Sequence, residues 1–215
     1  MTKKERFEKI FDWFQKEMPV VETELVYHSS FELIVAVILS AQCTDKRVNK
    51  ITPALLKAYP DAHHMAAAEE SEILEFIKSC SYPNSKARYL KGMSEKLVSE
   101  FEGKVPADMK SLQTLPGVGR KTASVIISVA FKQPAMAVDT HVFRVSERLG
   151  LSANAKTPLQ TEKQLVKYIP EELLQDAHHW LILHGRYVCT ARNPKCHKCG
   201  LKDLCKFYAK QNVSN

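Results

Sequence analysis

Leu115-Pro116-Gly117-Val118-Gly119-Arg120-Lys121 joins a short helical pattern, capped by Asp108 and ending at Leu115, to a longer one that runs from Thr122 to Phe131. Its two glycines free the backbone for a tight turn and for close approach to a ligand. Gly119 stands just before a helix start, where unpaired N–H groups and the positive end of the helix dipole favour an anion such as a phosphate. Lys121 lies in the first turn beyond, an amine beside whatever the turn holds. Pro and Gly also punctuate ordinary connectors, so these residues alone suit a plain helix–turn–helix link as well as a phosphate clamp.

Working outward, the chain is helical on both sides. Phe7, Ile10, Phe11 and Phe14 mark a helical face over residues 3–18 that Pro19 ends. Ser30 is the expected cap of an apolar helix reaching about Gln42, and Thr44 or Asp45 that of the next. Pro53 inside that second pattern predicts a kink or a later start. Ser71 opens a further helix, and Ser81-Tyr82-Pro83-Asn84 reads as a turn before a helix from Ser85 to about Phe101, stopped by Gly103. Thr140 to Leu149 follows, with Gly150 as its stop. A helix then begins at Thr157-Pro158, and another runs from Pro170 through Trp180 to about Tyr187. The tail after Cys205 reads as short and polar. No long β-alternation, fixed-period repeat or low-complexity tract interrupts this pattern, so the predicted fold class is all-α.

Length and composition narrow the function. The 215 residues allow one large domain or two small ones, and 45% apolar content is that of a globular chain. With 31 Lys and Arg against 24 Asp and Glu the net charge is +7, compatible with a polyanionic partner such as nucleic acid. Met1 to Arg6 lead into an amphipathic pattern rather than a signal peptide, and Leu33 to Leu39 is too short to span a bilayer. No membrane association is expected; the chain reads as cytosolic, or nucleoid-associated if bacterial. Among six cysteines, Cys43 and Cys80 stand alone, while Cys189, Cys196, Cys199 and Cys205 form a C-x6-C-x2-C-x5-C cluster. In a reducing compartment such bunching points to a metal centre rather than disulfides. Cys196-His197-Lys198-Cys199-Gly200 taken alone resembles a zinc knuckle, and four thiolates also suit a [4Fe–4S] cluster. Arg192, Lys195 and Lys198 between the ligands would face backbone phosphates or merely keep the loop soluble.

Lys121 becomes chemically interesting only with a partner. Val138-Asp139-Thr140-His141 supplies one. Asp139 precedes a helix, so it caps the N-terminus; the same carboxylate can stabilise developing positive charge or accept a proton, and the two roles are compatible. His141 could orient Asp139, but core or surface packing is the favoured explanation for it. The adjacent pairs His63-His64 and His178-His179 point in different directions on a helix and are poor metal sites.

Together, LPGVGRK (115–121), VDTH (138–141), HHWLILHGR (178–186), the four-cysteine pattern, LSAQCTD (39–45) and NSKA (84–87) closely resemble the endonuclease III family of the helix-hairpin-helix superfamily. The resemblance spans nearly the whole chain. It implies two helical domains: a six-helix barrel at about 23–133 containing the hairpin, and a [4Fe–4S] domain made of 1–22 with 134–215. It further implies a bifunctional glycosylase and abasic-site lyase of base excision repair, acting as a monomer on double-stranded DNA that contains damaged pyrimidines or abasic sites. Lys121 would be the nucleophile and Asp139 its carboxylate partner across a cleft, with Cys189, Cys196, Cys199 and Cys205 as cluster ligands. Gly117, Val118, Gly119, Arg120, Arg192 and Lys195 would contact DNA, Gln42 would fill the space a flipped base vacates, and Tyr82 would stand where the family commonly offers a wedging leucine. Lys121, and the lack of an acid in Leu33–Ala41, separate the chain from the adenine-specific mismatch glycosylase. A non-catalytic, metal-stapled DNA-binding protein is the rival reading, and it needs neither Lys121 nor Asp139.

Overall fold

Side-chain oxygens set most of the helix starts. The computed structural model describes residues 1–213, and among these every regular element is helical, with no strand. In chain order the α-helices are α1 (Lys3–Glu17), α2 (Ser30–Ser40), α3 (Asp45–Ala58), α4 (Ala62–Ala67), α5 (Glu70–Ile77), α6 (Pro83–Phe101), α7 (Met109–Leu112), α8 (Arg120–Phe131), α9 (Thr140–Leu149), α10 (Pro158–Leu165), α11 (Leu174–Tyr187) and α12 (Lys206–Val213). Thr2, Ser29, Thr44, Asp61, Asp108, Asp139 and Thr157 each accept a hydrogen bond from the backbone N–H three residues on. Each thereby satisfies one donor that a helix start would otherwise leave unpaired. All-α is the fold class.

Several boundaries depart from the sequence reading. Ser29, not Ser30, caps α2, because its extended backbone lets the hydroxyl accept from the Glu32 N–H three residues ahead. A capping box of Glu69 with Glu72 starts α5, rather than Ser71. Pro83 takes the first position of α6, where its missing N–H costs nothing, so that helix begins two residues early. Nor does Pro53 delay α3, which runs through it with Val48, Thr52 and Leu55 buried; packing outweighs the roughly 3 kcal/mol a mid-helix proline costs. The tail after Cys205 carries α12, and α4 forms where no helix was read.

The chain divides into two compact units, Thr23–Gln133 and Met1–Glu22 with the chain from Pro134 on. In the first, α2 is the central rod: Phe31 and Leu33 to Leu39 are all buried, and it packs on α3, α6 and α8. A helix apolar on every side belongs at the centre of such a bundle. The second unit gathers Phe7, Ile10, Phe11 and Phe14 of α1 with Val142, Val145 and Leu149 of α9 and Trp180 and Leu181 of α11. Phe14 stacks on Trp180 with centroids 5.8 Å apart, and the indole N–H donates to the Met18 carbonyl at 2.8 Å. The N-terminal helix is thus part of the C-terminal core.

Candidate DNA-binding hairpin and metal centre

Leu115 and Val118 are buried and anchor the hairpin, with the Val118 N–H bonded to the Leu115 carbonyl at 3.1 Å. Gly117 holds φ +77°, in the left-handed region, and a Cβ there would lie 2.9 Å from the Tyr89 side chain. Glycine is therefore required by the fold. Gly119 is different: its φ is −85° and a Cβ would meet nothing within 4 Å. Nothing inside the chain demands a glycine there, which leaves open space beside its backbone. Unlike most helices of the chain, α8 begins with no side-chain cap. Gly117 and Gly119 are exposed, and among the described residues neither N–H finds a backbone acceptor. The hairpin thus presents unpaired donors at a helix N-terminus, the electrostatics that attract a phosphate. Lys121 is exposed in the first turn of α8, and among the described residues its amine has no hydrogen-bond or ion-pair partner.

Two further turns of the same unit carry sequence-predicted contact residues. Gln42 (φ +53°) follows α2 and Tyr82 (φ +54°) precedes α6, both left-handed and both exposed. Such backbones cost non-glycine residues roughly 1–3 kcal/mol each, and they persist where surroundings enforce them. Here the Ser81 hydroxyl donates to the Gln42 carbonyl at 2.7 Å, tying the turns together. Lys86, almost fully buried, donates to the Leu39 and Ala41 carbonyls at 2.7 and 2.8 Å, closing the end of α2. Burial lowers its pKa. On α6, Tyr82 starts the helix and Tyr89 sits against Gly117, so one rigid element links this pair of turns to the hairpin.

In the other unit, Asp139 caps α9: its Oδ1 accepts from the Val142 N–H at 2.8 Å, and Oδ2 has no partner among the described residues. One oxygen is structural and the other is available. His141 does not orient Asp139; its Nδ1 lies 3.2 Å from Arg144 instead. His178 and His179 are buried, with Nδ1 atoms 2.8 and 2.9 Å from the Ala137 and Gln175 carbonyls, which fits a packing role.

The four clustered cysteines line one pocket, walled by Leu149, His184, Phe207 and Tyr208. Among the described residues no three His, Cys, Asp or Glu side chains converge closely enough to hold a single ion. Four thiols spread around a largely apolar pocket, rather than converging on one point, fit a polynuclear cluster better than a tetrahedral zinc. Burial pushes the Cys199 and Cys205 thiols up, and repulsion from the other cysteines adds to it. A cationic centre among the cysteines would favour the ionised form of these two. His184, 3.7 Å from the Cys199 sulfur, is lowered by burial to about 4 and is neutral at physiological pH.

Comparison with known proteins agrees with this geometry. The family described as "HhH-GPD superfamily base excision DNA repair protein" matches residues 35–171. Endonuclease III of Rickettsia felis is 46% identical over 96% of each chain, and that of Escherichia coli 44% identical over 99% of this chain and all of its own. Among solved structures, a trapped endonuclease III–DNA covalent intermediate in an estranged-adenine complex superposes with a TM-score of 0.93 at 43% identity, covering 99% of this chain and 100% of that one. The chain belongs to the endonuclease III family. The iron–sulfur binding domain of endonuclease III matches residues 189–205, and the cofactor is a [4Fe–4S] cluster.

Some residues that shape these sites were not evident beforehand. Arg144 donates to the Gly185 and Cys189 carbonyls at 2.9 and 3.1 Å. Arg148 donates to the Thr190 and Ala191 carbonyls at 2.7 and 2.9 Å and lies 3.4 Å from the Cys189 sulfur. Their four-residue spacing puts both on one face of α9, the only trace they leave in the sequence. That face grips the start of the cysteine loop.

Proposed function

We propose that the chain is a bifunctional DNA glycosylase and abasic-site lyase, removing damaged pyrimidines from duplex DNA and cutting the strand 3′ to the resulting abasic sugar. The observation that carries this reading is Lys121, an exposed amine in the first turn of an uncapped helix, beside two glycine N–H groups without backbone acceptors. In this reading Gly117 and Gly119, with Val118 and Arg120, hold a phosphate of the damaged strand and fix its sugar beside Lys121. The damaged base leaves the stack because it pairs or stacks poorly, and the left-handed Gln42 fills the gap while exposed Tyr82 stacks at the opening.

The neutral amine of Lys121 then forms a bond to the sugar C1′ as the C1′–N bond to the base breaks, and the base departs with a proton. Loss of the ring oxygen from C1′ gives a Schiff base. Removal of a C2′ proton expels the 3′ phosphate by β-elimination, and water returns Lys121 to the free amine. The unpaired Oδ2 of Asp139 stabilises cationic character on the sugar and carries protons, while Oδ1 keeps α9 capped. Cys189, Cys196, Cys199 and Cys205 hold the [4Fe–4S] cluster, which stabilises the loop fold, and Arg192 and Lys195, exposed on that loop, meet backbone phosphates. The protein acts as a monomer in the bacterial cytosol, on the nucleoid. None of the helices among the described residues is long and apolar enough to cross a membrane.

Borohydride reduction in the presence of abasic-site or thymine-glycol duplex should trap a covalent protein–DNA adduct. Lys121→Ala should leave none while still binding the duplex. A wild-type protein that binds such DNA but traps nothing would sink the lyase reading and leave the metal-stapled binding module.

A further inference from the structure

Cys43 and Cys80, isolated in the sequence, meet in the fold. Their sulfurs are 3.6 Å apart, Cys43 half-buried in the turn after α2 and Cys80 buried just after α5. This contact lies where the turn of Gln42 is already joined to the turn of Tyr82 by the Ser81 hydroxyl. Both backbones are local and firm: the Cys43 N–H bonds to the Ser40 carbonyl at 3.0 Å and that of Cys80 to Ile77 at 2.8 Å. A disulfide needs its sulfurs at about 2.05 Å, so the pair is short of bonding by roughly 1.5 Å, within reach of small side-chain rotations and turn shifts.

We propose that Cys43 and Cys80 form a redox modification site that takes a low-molecular-weight disulfide as oxidant and closes to an intramolecular disulfide, pinning the Gln42 turn to the Tyr82 turn. Cys43, the more exposed, is the entry point. Its thiolate bonds to one sulfur of the oxidant R–S–S–R, whose S–S bond breaks and whose other half leaves and is protonated to RSH. Cys80 then gives up its proton, bonds to the Cys43 sulfur and expels the second RSH. Two thiol protons and two electrons pass from the pair to the oxidant, which is fully reduced. Burial, followed by the neighbouring Cys43, raises the Cys80 thiol to about 11, and the positive charges of Lys86 and Arg47 act against that rise. Cys80 therefore resists direct attack on an external oxidant and reacts only once Cys43 is primed beside it. In a reducing cytosol the pair rests as dithiol and closes under disulfide stress.

The consequence for activity rests on the proposed roles of Gln42 and Tyr82. Closing the bridge displaces turns that must fit the opened duplex, and misplacements near 1 Å can slow catalysis on the order of a hundredfold. Holoenzyme with its cluster intact would be equilibrated anaerobically with graded ratios of oxidised to reduced glutathione, then alkylated and mapped by mass spectrometry without reduction. The expected product is a peptide pair linked through Cys43 and Cys80 while absorbance near 400 nm is unchanged. Cys80→Ser should instead accumulate a glutathione adduct on Cys43, and Cys43→Ser should give neither. Absence of the linked pair at every ratio below the one that bleaches the cluster would overturn the site. Base removal from a thymine-glycol duplex should slow on the order of ten- to a hundredfold in the oxidised form and recover with a dithiol; an unchanged rate would overturn the regulatory consequence. Borohydride trapping by the reduced wild type reads the underlying enzymatic assignment separately, because the disulfide either forms or does not whatever that assay gives.

Discussion

The hairpin at 115–121 and the cysteine loop at 189–205 are both short, basic and glycine-containing, yet they are held in opposite ways. The hairpin hangs on two buried apolar side chains and its own backbone, and leaves the Gly117 and Gly119 N–H groups without backbone acceptors among the described residues. In the loop the backbone is gripped from outside by Arg144 and Arg148, while four thiols turn toward a cavity. Between Cys189 and Cys205 it has only the three-residue turns Cys196–Lys198 and Lys202–Leu204, with Leu201 fully buried as its main apolar anchor. A hairpin built this way is complete without a cofactor. The loop is complete only around one, since so little apolar area cannot offset the entropy of ordering seventeen residues, about 1–2 kcal/mol each for the backbone alone.

The largest expected effect follows from that contrast. Structural metal centres bind with apparent energies on the order of 10 kcal/mol, comparable with the whole stability of a domain. Cys199→Ser should lose the absorbance near 400 nm and open residues 189–205 to protease, while cleavage within 115–131 stays slow in the same full-length protein. Equal protease sensitivity at both places would show that the two regions are not independently held.

A smaller effect, on turnover rather than fold, separates the two oxygens of Asp139. Asparagine caps as well as aspartate, so Asp139→Asn should keep α9 and bind damaged DNA within a few-fold, while turnover falls about 10²–10⁴-fold, the range for a lost general acid–base group. Parallel losses of binding and turnover would reduce Asp139 to a structural cap.

These two predictions also mark what was legible in the sequence. Asp108 and Asp139 announce their helices because a cap acts over three residues, and α2 announces its burial because Leu33 to Leu39 are apolar without a break. The hairpin is local, so Gly117 and Gly119 could be read as a turn, though not that one serves the fold and the other does not. That difference depends on Tyr89, 28 positions away. Arg144 and Arg148 were missed for the same reason: their acceptors lie more than 40 residues on, and a basic residue on a helix is ordinarily solvated. Cys43 and Cys80, 37 residues apart, look solitary until α3 to α5 fold between them.

Protonation should sharpen the contrast further. His184 lies beside the cysteine loop and is held near 4 against an ordinary 6.5, because burial disfavours its charged form. On acidification the unfolded chain takes up this proton first, so stability is retained above pH 6.5, falls between 6.5 and about 4, and flattens below. Urea melts of holoenzyme from pH 7 to 4.5 should show it, and His184→Asn should flatten the slope. An unchanged slope in the variant would show that groups other than His184 carry the acid sensitivity.

The smallest effect tests the hairpin against itself. Gly117→Ala forces a Cβ at φ +77° to within 2.9 Å of Tyr89 and should cost about 1–3 kcal/mol, visible in a urea melt whether or not DNA is present. Gly119→Ala meets no neighbour and keeps an ordinary backbone. Its lower unfolded-state entropy, worth about 0.4–1 kcal/mol, offsets the loss of a better capping residue, about as large. Stability should therefore change by less than about 1 kcal/mol. Duplex affinity should nevertheless weaken and the salt dependence of binding become shallower, because the new methyl group occupies the space a phosphate needs. If Gly119→Ala binds abasic-site duplex as the wild type does, with the same salt slope, the open space beside Gly119 holds no phosphate, and of the two readings its seven residues allow, the hairpin is the plain connector.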